Sequence, residues 1–488
     1  MHNLLDSLPA TLPLIQSGTQ TWSRPALQQR IAQLRMALLA RRAPRAPVAI
    51  LADNCPDWLA IDLCTQELGI TLVPLPLFFT PGQWMHVIAE SGVQSIFCAQ
   101  PQQAGALGFP DAVACEGELR LCEGPLRAHL PLPDDVQKIT FTSGTTSTPK
   151  GVCLSTGQQW EVARALHDGL CRLGVERHLC LLPFAVLLEN IAGPYTAMLS
   201  GATTICPPLA ETGLLGASQF DPQVCLDAIA RYQANSIILL PQMLQALVAV
   251  AAPDEPRIRS LKFVAVGGAK TPARLIRTAR AKGFPVYEGY GLSECSSVVA
   301  LNLPGAEREG SVGRPLAHRQ LRIAADGEIE VGGARARYLG QAATSGAWLG
   351  TGDLGHLDAD GFLFIDGRKK DILITGFGRN VSPEWPEAAL LGTGRIAQAV
   401  VVGDGQASLG ALIVPLSAQL GREQIQAAVD QANADLPDYA RVLRWMPVPP
   451  MSSADGLVTA NGRPRRPAIH LHFQQQIASL FTPAEQTT

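Results

Sequence analysis

Apolar runs bounded by glycine or proline alternate with helical patterns through most of the chain before Gly367. Residues 48–54 (VAILADN) precede the helical pattern of residues 56–69, and residues 262–269 (KFVAVGGA) precede that of residues 271–283. Short buried runs alternating with helices are typical of α/β folds with largely parallel sheets. No repeat of fixed period is present, so we do not expect a solenoid or propeller.

The pattern changes after Gly310. Residues 318–333 and 356–368 predict short antiparallel strands joined by Asp-Gly turns, and a shorter strand, strand, helix unit follows Gly367. We therefore predict an α/β protein whose large N-terminal domain, residues 1–367, has mostly parallel sheets with helices plus a small β-subdomain. A small, mobile α+β C-terminal domain, residues 368–488, is expected to follow a charged turn near Lys370.

Composition excludes several classes of protein. The 488 residues are 47% hydrophobic and 17% charged, which indicates a buried core divided between two or more domains. A net charge of −3 argues against a nucleic-acid partner. The eleven cysteines form no C-x-x-C pair, which predicts buried thiols in a reducing compartment. With no secretory signal evident, and residues 232–253 predicted as a strand and a helix, we expect a cytoplasmic protein without integral membrane contact.

Residues 138–155 (KITFTSGTTSTPKGVCLS) combine many hydroxyls, glycines and Lys150. Such a loop either cradles phosphate oxygens, with Lys150 as the positive charge, or is a polar linker. Its spacing is not that of a Walker P-loop. The G-x-G stretches at 289–291, 376–378 and 403–405 lack the closing glycine of a dinucleotide fingerprint. No G-x-S-x-G elbow occurs, and the histidines lack metal-ligand spacing.

Two later segments carry groups suited to a nucleotide. Tyr290 and Glu294 flank a glycine turn, where a ring can stack and a carboxylate can bind Mg²⁺, although a capped turn explains the segment equally well. Asp353 follows a glycine and can accept two ribose hydroxyls, while Arg368 can bind a phosphate through two hydrogen bonds. Hairpin turns and a surface ion pair are the alternative explanation for these two residues.

Taken in order, these segments resemble the adenylate-forming ligase superfamily, in its acyl-CoA synthetase-like branch. The similarity extends over nearly the whole chain and rests on these matched segments: residues 27–92, 140–151 (TFTSGTTSTPKG), 266–269 (VGGA), 289–294 (GYGLSE), 309–315 (EGSVGRP), 348–355 (WLGTGDLG) and 366–384 (DGRKKDILITGFGRNVSPE). Each segment alone is weakly specific, whereas their common order is specific.

The resemblance implies roles for the matching positions. Nucleotide binding is implied for Thr142, Ser143, Thr145, Thr146, Gly268, Glu288, Tyr290, Gly291, Ser293, Asp353 and Arg368. Catalytic roles are implied for Lys150, Glu294 and Arg463, Mg²⁺ binding for Glu294 and Thr146, and the hinge for Lys370. The acid pocket is implied at Phe184, Val186, Gly267 and Gly268. The implied substrates and cofactors are ATP, Mg²⁺, CoA and a small carboxylic acid.

The chain departs from the family pattern at three positions. Arg463 replaces the usual lysine of the closing loop, Val186 stands where long-chain enzymes commonly have histidine, and Ser147 replaces a glycine. A guanidinium is wider and planar, so Arg463 can either support adenylation with altered geometry or weaken it. The apolar residues 181–199 favour an aliphatic or aromatic acid, although any buried helix has similar residues.

Three functions are consistent with the sequence. The first is activation of a hydrophobic acid, fatty or aryl, to an acyl-adenylate, followed by transfer to CoA. The second keeps the adenylate and changes the acceptor to the phosphopantetheine of an acyl carrier protein, with no carrier domain expected in this chain. The third is a catalytically weakened nucleotide-binding protein, supported only by Arg463.

Overall fold

The apolar runs form the strands of two largely parallel β-sheets. The computed structural model describes residues 10–113, 115, 117–126, 132, 135–142, 149–216, 219–333, 337–341, 346–377, 379–459 and 462–481. Within these ranges no helix is both long and apolar enough to cross a membrane.

The large sheet has nine strands within the described ranges. In spatial order they are Arg314–Pro315, Ser297–Leu301, Val286–Leu292, Phe263–Val266, Ser236–Leu239, Arg177–Leu179, Thr203–Ile205, Pro13–Ser17 and Gln20–Ser23. Pairing is parallel from Val286–Leu292 to Pro13–Ser17 and antiparallel at both margins. Helices connect its parallel strands, as in Ser236–Leu239, Pro241–Val250 and Phe263–Val266. This strand, helix, strand arrangement is the one predicted from residues 232–283.

The second sheet has seven strands in the described part of the chain. Their spatial order is Asp111–Val113, Arg120–Glu123, Ser95–Cys98, Val48–Leu51, Leu72–Pro74, Lys138–Thr142 and Lys150–Leu154. Four neighbouring strands, Ser95–Cys98, Val48–Leu51, Leu72–Pro74 and Lys138–Thr142, are parallel, and Lys138–Thr142 and Lys150–Leu154 form an antiparallel pair. This pair places Lys150 directly opposite Thr142.

The described helices surround these sheets and complete the C-terminal unit, which comprises the described part of residues 384–481. The α-helices are Arg24–Leu39, Pro56–Leu68, Pro81–Ser91, Pro101–Ala106, Thr156–Leu170, Leu187–Asn190, Thr196–Ser200, Pro222–Tyr232, Pro241–Val250, Ala273–Ala281, Glu384–Leu391, Arg422–Ala434, Arg466–His472 and Gln474–Phe481. A π-helical turn, Ile191–Tyr195, joins Leu187–Asn190 to Thr196–Ser200. Helix Thr156–Leu170 begins with a capping box in which the Ser155 and Gln158 side chains bind each other's backbone N–H groups.

The two large sheets share one hydrophobic core. Leu14 and Ile15 of the large sheet belong to the same buried cluster as Val48 and Ile50 of the second sheet. A buried polar cluster crosses this core, where the Lys138 ammonium donates to Asp62 Oδ2 at 3.0 Å and to Asn190 Oδ1 at 2.6 Å. Lys138 is fully buried, so its ion pair belongs to the core.

Smaller sheets follow the large one, as the sequence predicts. Four antiparallel strands, Gln320–Ile323, Glu328–Gly332, Trp348–Leu357 and Leu363–Arg368, form the small sheet. Beyond it, Ile396–Val402, Leu409–Pro415 and Val442–Pro447 form a three-stranded sheet packed with helix Arg422–Ala434. Two-stranded pairs occur at Leu214–Leu215 with Gln219–Phe220 and at Leu373–Ile374 with Asn380–Val381. The predicted α/β architecture is confirmed.

Candidate active site

A single cavity of about 1300 Å³ lies between the large sheet, the small sheet and the C-terminal unit. It opens beyond the carboxyl ends of the parallel strands, which is the usual ligand site of open α/β sheets. The predicted site residues that line it are Lys150, Val186, Gly267, Gly268, Glu288, Tyr290, Gly291, Ser293, Glu294, Asp353, Arg368, Lys370 and Arg463. Ser143, Thr145 and Thr146 lie outside the described residues, as does the side chain of Thr142.

Asp353 is held from two sides at the wall of the cavity. The Tyr290 hydroxyl donates to its Oδ2 at 2.6 Å, and Arg368 Nε lies 2.7 Å from Oδ1. Asp353 and Arg368 face each other on neighbouring antiparallel strands. Burial, followed by the Asp353 charge, raises the pKa of Tyr290 well above its ordinary value, so its hydroxyl remains a donor. The carboxylate is therefore fixed in position and largely shielded from solvent.

The Gly267–Gly268 loop is anchored by Glu288. The backbone N–H of Thr271 donates to Glu288 Oε1 at 2.9 Å, and Lys270 Nζ donates to the Ile365 carbonyl at 2.8 Å. Gly268 has a φ of +86°, and a Cβ there would lie 2.9 Å from Leu240 Cδ2, so both conformation and space favour glycine. Burial raises the pKa of Glu288 to about 7.

Arg463 reaches into the cavity from the C-terminal unit. Its Nε donates to the carbonyl oxygen of Gly268 at 2.6 Å. A turn presents the side chain, because the Thr459 hydroxyl accepts from the Arg463 backbone N–H at 3.1 Å and Val458 pairs with Pro464. Burial, followed by repulsion from Arg368, lowers the pKa of Arg463. This turn thus links the C-terminal unit directly to the glycine loop.

Glu294 provides an acidic group near the strand Lys150–Leu154. The Tyr338 hydroxyl donates to Glu294 Oε1 at 2.6 Å, and Tyr338 forms a backbone bridge with Val152 beside Lys150. At Gly291 a Cβ would lie 2.0 Å from the Ser297 carbonyl oxygen, so only glycine permits this turn. The Glu294 carboxylate is therefore placed next to the strand that carries Lys150.

Cations and acidic groups line the cavity together. Lys150, Arg368, Lys370 and Arg463 line it, and so do Glu288, Glu294, Asp353 and Glu384. Burial is the largest cause that lowers the pKa of Lys370, and the charges of Arg368 and Lys150 lower it further. Lys150, Lys370 and Arg463 give this cavity of mixed charge groups that can bind an anionic ligand.

Phe184 lies apart from the cavity, unlike the other described residues predicted to form the acid pocket. Its ring is buried 5.4 Å from the Trp58 ring, and its backbone N–H donates to Asn54 Oδ1 at 2.8 Å. The Asn54 contact turns the chain so that Phe184 enters the core, whereas Val186 lines the cavity. We therefore correct the assignment of Phe184 to a core residue.

The sequence contains a further G-x-G stretch beyond the three named above. Residues 350–355 (GTGDLG) match the full G-x-G-x-x-G spacing. They lie within the antiparallel strand Trp348–Leu357 rather than between a strand and a helix. The spacing therefore does not form a dinucleotide cradle.

Sequence reasoning missed several residues of the site. Lys270, Thr271 and Tyr338 anchor the glycine loop and Glu294, and Glu384 lies close enough to influence Arg463. It also missed a buried cluster in which Glu189 Oε1 lies 2.8 Å from His178 Nε2 and Ser236 Oγ lies 2.9 Å from His178 Nδ1. Lys270 and Thr271 directly follow the VGGA segment, a position that could have marked them.

Two family models together match most of the chain. The model described as "AMP-binding enzyme" matches residues 8–349, and the model described as "AMP-binding enzyme C-terminal domain" matches residues 370–485.

The chain belongs to the AMP-binding enzyme family.

Relatives of this AMP-binding enzyme include CoA ligases. A 2-succinylbenzoate–CoA ligase of Bacillus velezensis is 31% identical over 86% of this chain and 88% of its own length. An indoleacetate–CoA ligase of Aromatoleum aromaticum is 30% identical over 77% of this chain and 79% of its own length. The solved structure of the anthranilate CoA ligase AuaEII in complex with anthranoyl-AMP has a TM-score of 0.81 at 20% identity, covering 98% of this chain and 97% of the other. That last likeness concerns the fold.

Proposed function

We propose that this AMP-binding enzyme is an AMP-forming acid–thiol ligase. A carboxylic acid attacks the α-phosphate of ATP, pyrophosphate leaves, and the thiol of CoA then attacks the carbonyl of the acyl-adenylate and releases AMP. The observation that carries the proposal is the position of Arg463, whose Nε donates to Gly268 in the cavity that also contains Asp353 and Lys150. CoA-ligase relatives at 30% and 31% identity support the same reaction.

The cavity provides groups for each part of ATP. We propose that Asp353 accepts the ribose hydroxyls and that the Tyr290 ring flanks the adenine; the contacts of Asp353 with Tyr290 and Arg368 support this. Lys150, with Thr142, Ser143, Thr145 and Thr146, binds the phosphates. The cations stabilise charge that develops on the phosphate oxygens, in a cavity whose burial strengthens each interaction.

The residues present are compatible with a magnesium ion. Glu294 lines the cavity on the side of Lys150, and Mg²⁺ in nucleotide sites is usually bound by one or two carboxylates plus substrate phosphates. We propose Glu294 and Thr146 as its protein ligands. When bound, the ion neutralises charge on the phosphates and orients them.

Arg463 can perform the task usually given to lysine. Gly268 accepts from its Nε, which leaves the terminal guanidinium nitrogens to donate to carboxylate and phosphate oxygens. This arrangement argues against the weakened nucleotide-binding protein, because a cation still reaches the cavity. Adenylation is therefore proposed to be retained.

Thioester formation, the second half-reaction, needs a different set of groups around the acyl carbonyl from those that adenylation needs. We propose that the C-terminal domain, residues 368–488, turns about Lys370 after the adenylate forms, which withdraws Arg463 and admits the thiol. The names of the relatives favour CoA over an acyl carrier protein as the acceptor. The eleven free cysteines suit a reducing location, and we propose the cytoplasm.

A panel of carboxylic acids tests this function. Pyrophosphate release is measured with MgATP and each acid, with and without CoA. We expect release that depends on a hydrophobic acid and a thioester product that requires CoA. Release without CoA but no thioester, with transfer to a carrier protein, would support the carrier-protein alternative. Nucleotide binding with no acid-dependent release would contradict adenylation.

A further inference from the structure

The cavity extends far beyond the nucleotide site, along one face of the large sheet. Phe263 and Ala265 of strand Phe263–Val266 line it, as does Gly267 directly after that strand. Ser236 and Ile238, paired with Phe263 and Ala265 on the neighbouring strand, also line it. Alternate residues share a face of a strand, so the cavity follows the strands from their carboxyl ends to their amino ends. Four residue steps, from Gly267 to Phe263, correspond to about 13 Å.

The opposite wall of this channel is a helical segment with small side chains. Leu188, Ala192, Thr196 and Ser200 line the cavity at intervals of four residues. Residues that recur every four positions lie on one side of a helix. The channel therefore has one wall of sheet and one of helix along its full depth.

The far end of the channel reaches the protein surface. Glu176, Cys171 and Ser200 line the same cavity and are exposed to solvent. Glu176 directly precedes the strand Arg177–Leu179 and so lies at the amino-terminal ends of the parallel strands, whereas Gly268 lies beyond their carboxyl ends. The cavity that contains Gly268 therefore also reaches solvent at Cys171, Glu176 and Ser200.

The polar residues in the sheet wall bind one another. His178 lies between Glu189 and Ser236, with contacts of 2.8 Å and 2.9 Å, and the backbone N–H groups of Leu181 and Leu182 donate to the second oxygen of Glu189. With Nε2 donating to Glu189 and Nδ1 accepting from Ser236, these side chains satisfy one another. An apolar ligand passing His178, Glu189 and Ser236 therefore leaves each of these side chains with its partner.

We propose that the acid activated here is a long, unbranched aliphatic acid. This inference rests on the proposed function, in which the terminal nitrogens of Arg463 bind the carboxylate near Gly268. From there the alkyl chain runs along Ala265 and Ser236 toward the opening at Ser200. A channel about 13 Å long accommodates roughly ten methylene groups in extended form, given carbon–carbon bonds of about 1.5 Å. An aryl acid would fill only the part nearest the nucleotide.

A homologous series of saturated acids tests the proposal through kcat/KM for pyrophosphate release. We expect kcat/KM to rise from hexanoate to dodecanoate, by up to about fourfold per added methylene, as each methylene is buried. Benzoate and indoleacetate should fall below dodecanoate. A maximum at an aryl acid or at hexanoate would overturn the inference while leaving acid activation intact. No release with any acid would instead overturn the proposed function.

Two variants at different depths locate the alkyl chain. Ala265→Phe, in the middle of the channel, should lower kcat/KM for dodecanoate and hexadecanoate at least tenfold more than for hexanoate. Ser200→Trp, at the far opening, should affect hexadecanoate more than decanoate. Ser479→Trp, on an exposed face of helix Gln474–Phe481, is the control for a surface tryptophan.

Retained turnover of hexanoate shows that a variant is folded. If Ala265→Phe fails to fold, Ala192→Phe narrows the channel from its helical wall and replaces that variant. Equal losses for all acids would contradict the channel. The ω-hydroxy derivative of dodecanoate tests recognition of a polar tail. Its selection over dodecanoate would overturn the aliphatic assignment in favour of hydrogen bonding at His178 and Ser236.

Discussion

Arg463 donates its Nε hydrogen to the carbonyl oxygen of Gly268 at 2.6 Å, across 195 positions of the chain. A lysine ammonium at this position would have to divide its donors between that carbonyl and the substrate. The arginine side chain uses Nε for the carbonyl and retains its two terminal nitrogens. The contact thus explains how a wider cation is accommodated in a position that usually holds lysine.

Removal of the Arg463 guanidinium should impair the first half-reaction. We expect Arg463→Ala to lower the rate of acid-dependent pyrophosphate release by about a hundredfold, the usual effect of removing one stabilising donor. Arg463→Lys should preserve or increase that rate, because a cation remains. Arg422→Ala is the control, since Arg422 stacks on Trp445 within the C-terminal unit. Loss of activity in Arg463→Lys would mean that the planar fork itself is required.

The Tyr290 hydroxyl should contribute to ATP binding through Asp353. Tyr290→Phe removes one of the two side chains that fix the buried carboxylate, and we expect the KM for ATP to rise roughly tenfold. Tyr439→Phe, whose hydroxyl lies on a half-exposed ring in the C-terminal unit, is the matched control. Measurements at saturating acid separate this effect from acid binding. An unchanged KM would show that ATP binding does not depend on the hydrogen bond from the Tyr290 hydroxyl to Asp353.

The predictable part of the fold follows from local patterns. Alternation of apolar runs with helices predicts the parallel sheets, and the order of the glycine and hydroxyl segments predicts which loops meet at the cavity. Side-chain direction was less predictable, since Phe184 and Val186 are two residues apart and differ in whether they face the core or the cavity. The contact between Arg463 and Gly268 depends on how the C-terminal unit packs, which no local pattern encodes.

Glu288 should make stability depend on pH. Its pKa is raised from 4.5 to about 7 by burial, so the folded protein retains a proton that the unfolded chain releases. Glu288 does not affect stability below about pH 4.5, the pKa of this group in the unfolded chain. Between that value and about pH 7 the free energy of unfolding falls as the pH rises, and above about pH 7 it stays reduced. The unchanged protein should therefore lose unfolding free energy between about pH 5 and pH 8. The loss in Glu288→Gln should be smaller than this by on the order of 2 kcal/mol.

Urea unfolding midpoints measured across that pH range test the Glu288 prediction. Glu255→Gln is the control, because the bonded Arg257 lowers the pKa of Glu255 to about 2 and its titration lies below the range measured. A pH dependence in Glu288→Gln as steep as that of the unchanged protein would show that Glu288 is already ionised when folded.

If the C-terminal domain turns about Lys370, substitutions at this residue should slow the two half-reactions to different extents. Proline fixes φ, so Lys370→Pro should slow thioester formation at least tenfold more than pyrophosphate release. Lys370→Ala removes the charge while leaving the backbone free, and it should slow thioester formation much less. Single-turnover assays of each step make the comparison. Equal slowing of both steps in both variants would indicate a role for the ammonium instead of a hinge.

The central claim is that one cavity brings ATP and a carboxylic acid together under Arg463. Acid-dependent exchange of labelled pyrophosphate into ATP measures that reaction directly, without CoA and without movement of the C-terminal domain. We predict exchange that requires both MgATP and a hydrophobic acid and that is reduced about a hundredfold in Arg463→Ala. Tight ATP binding with no exchange for any acid of the panel would contradict the account.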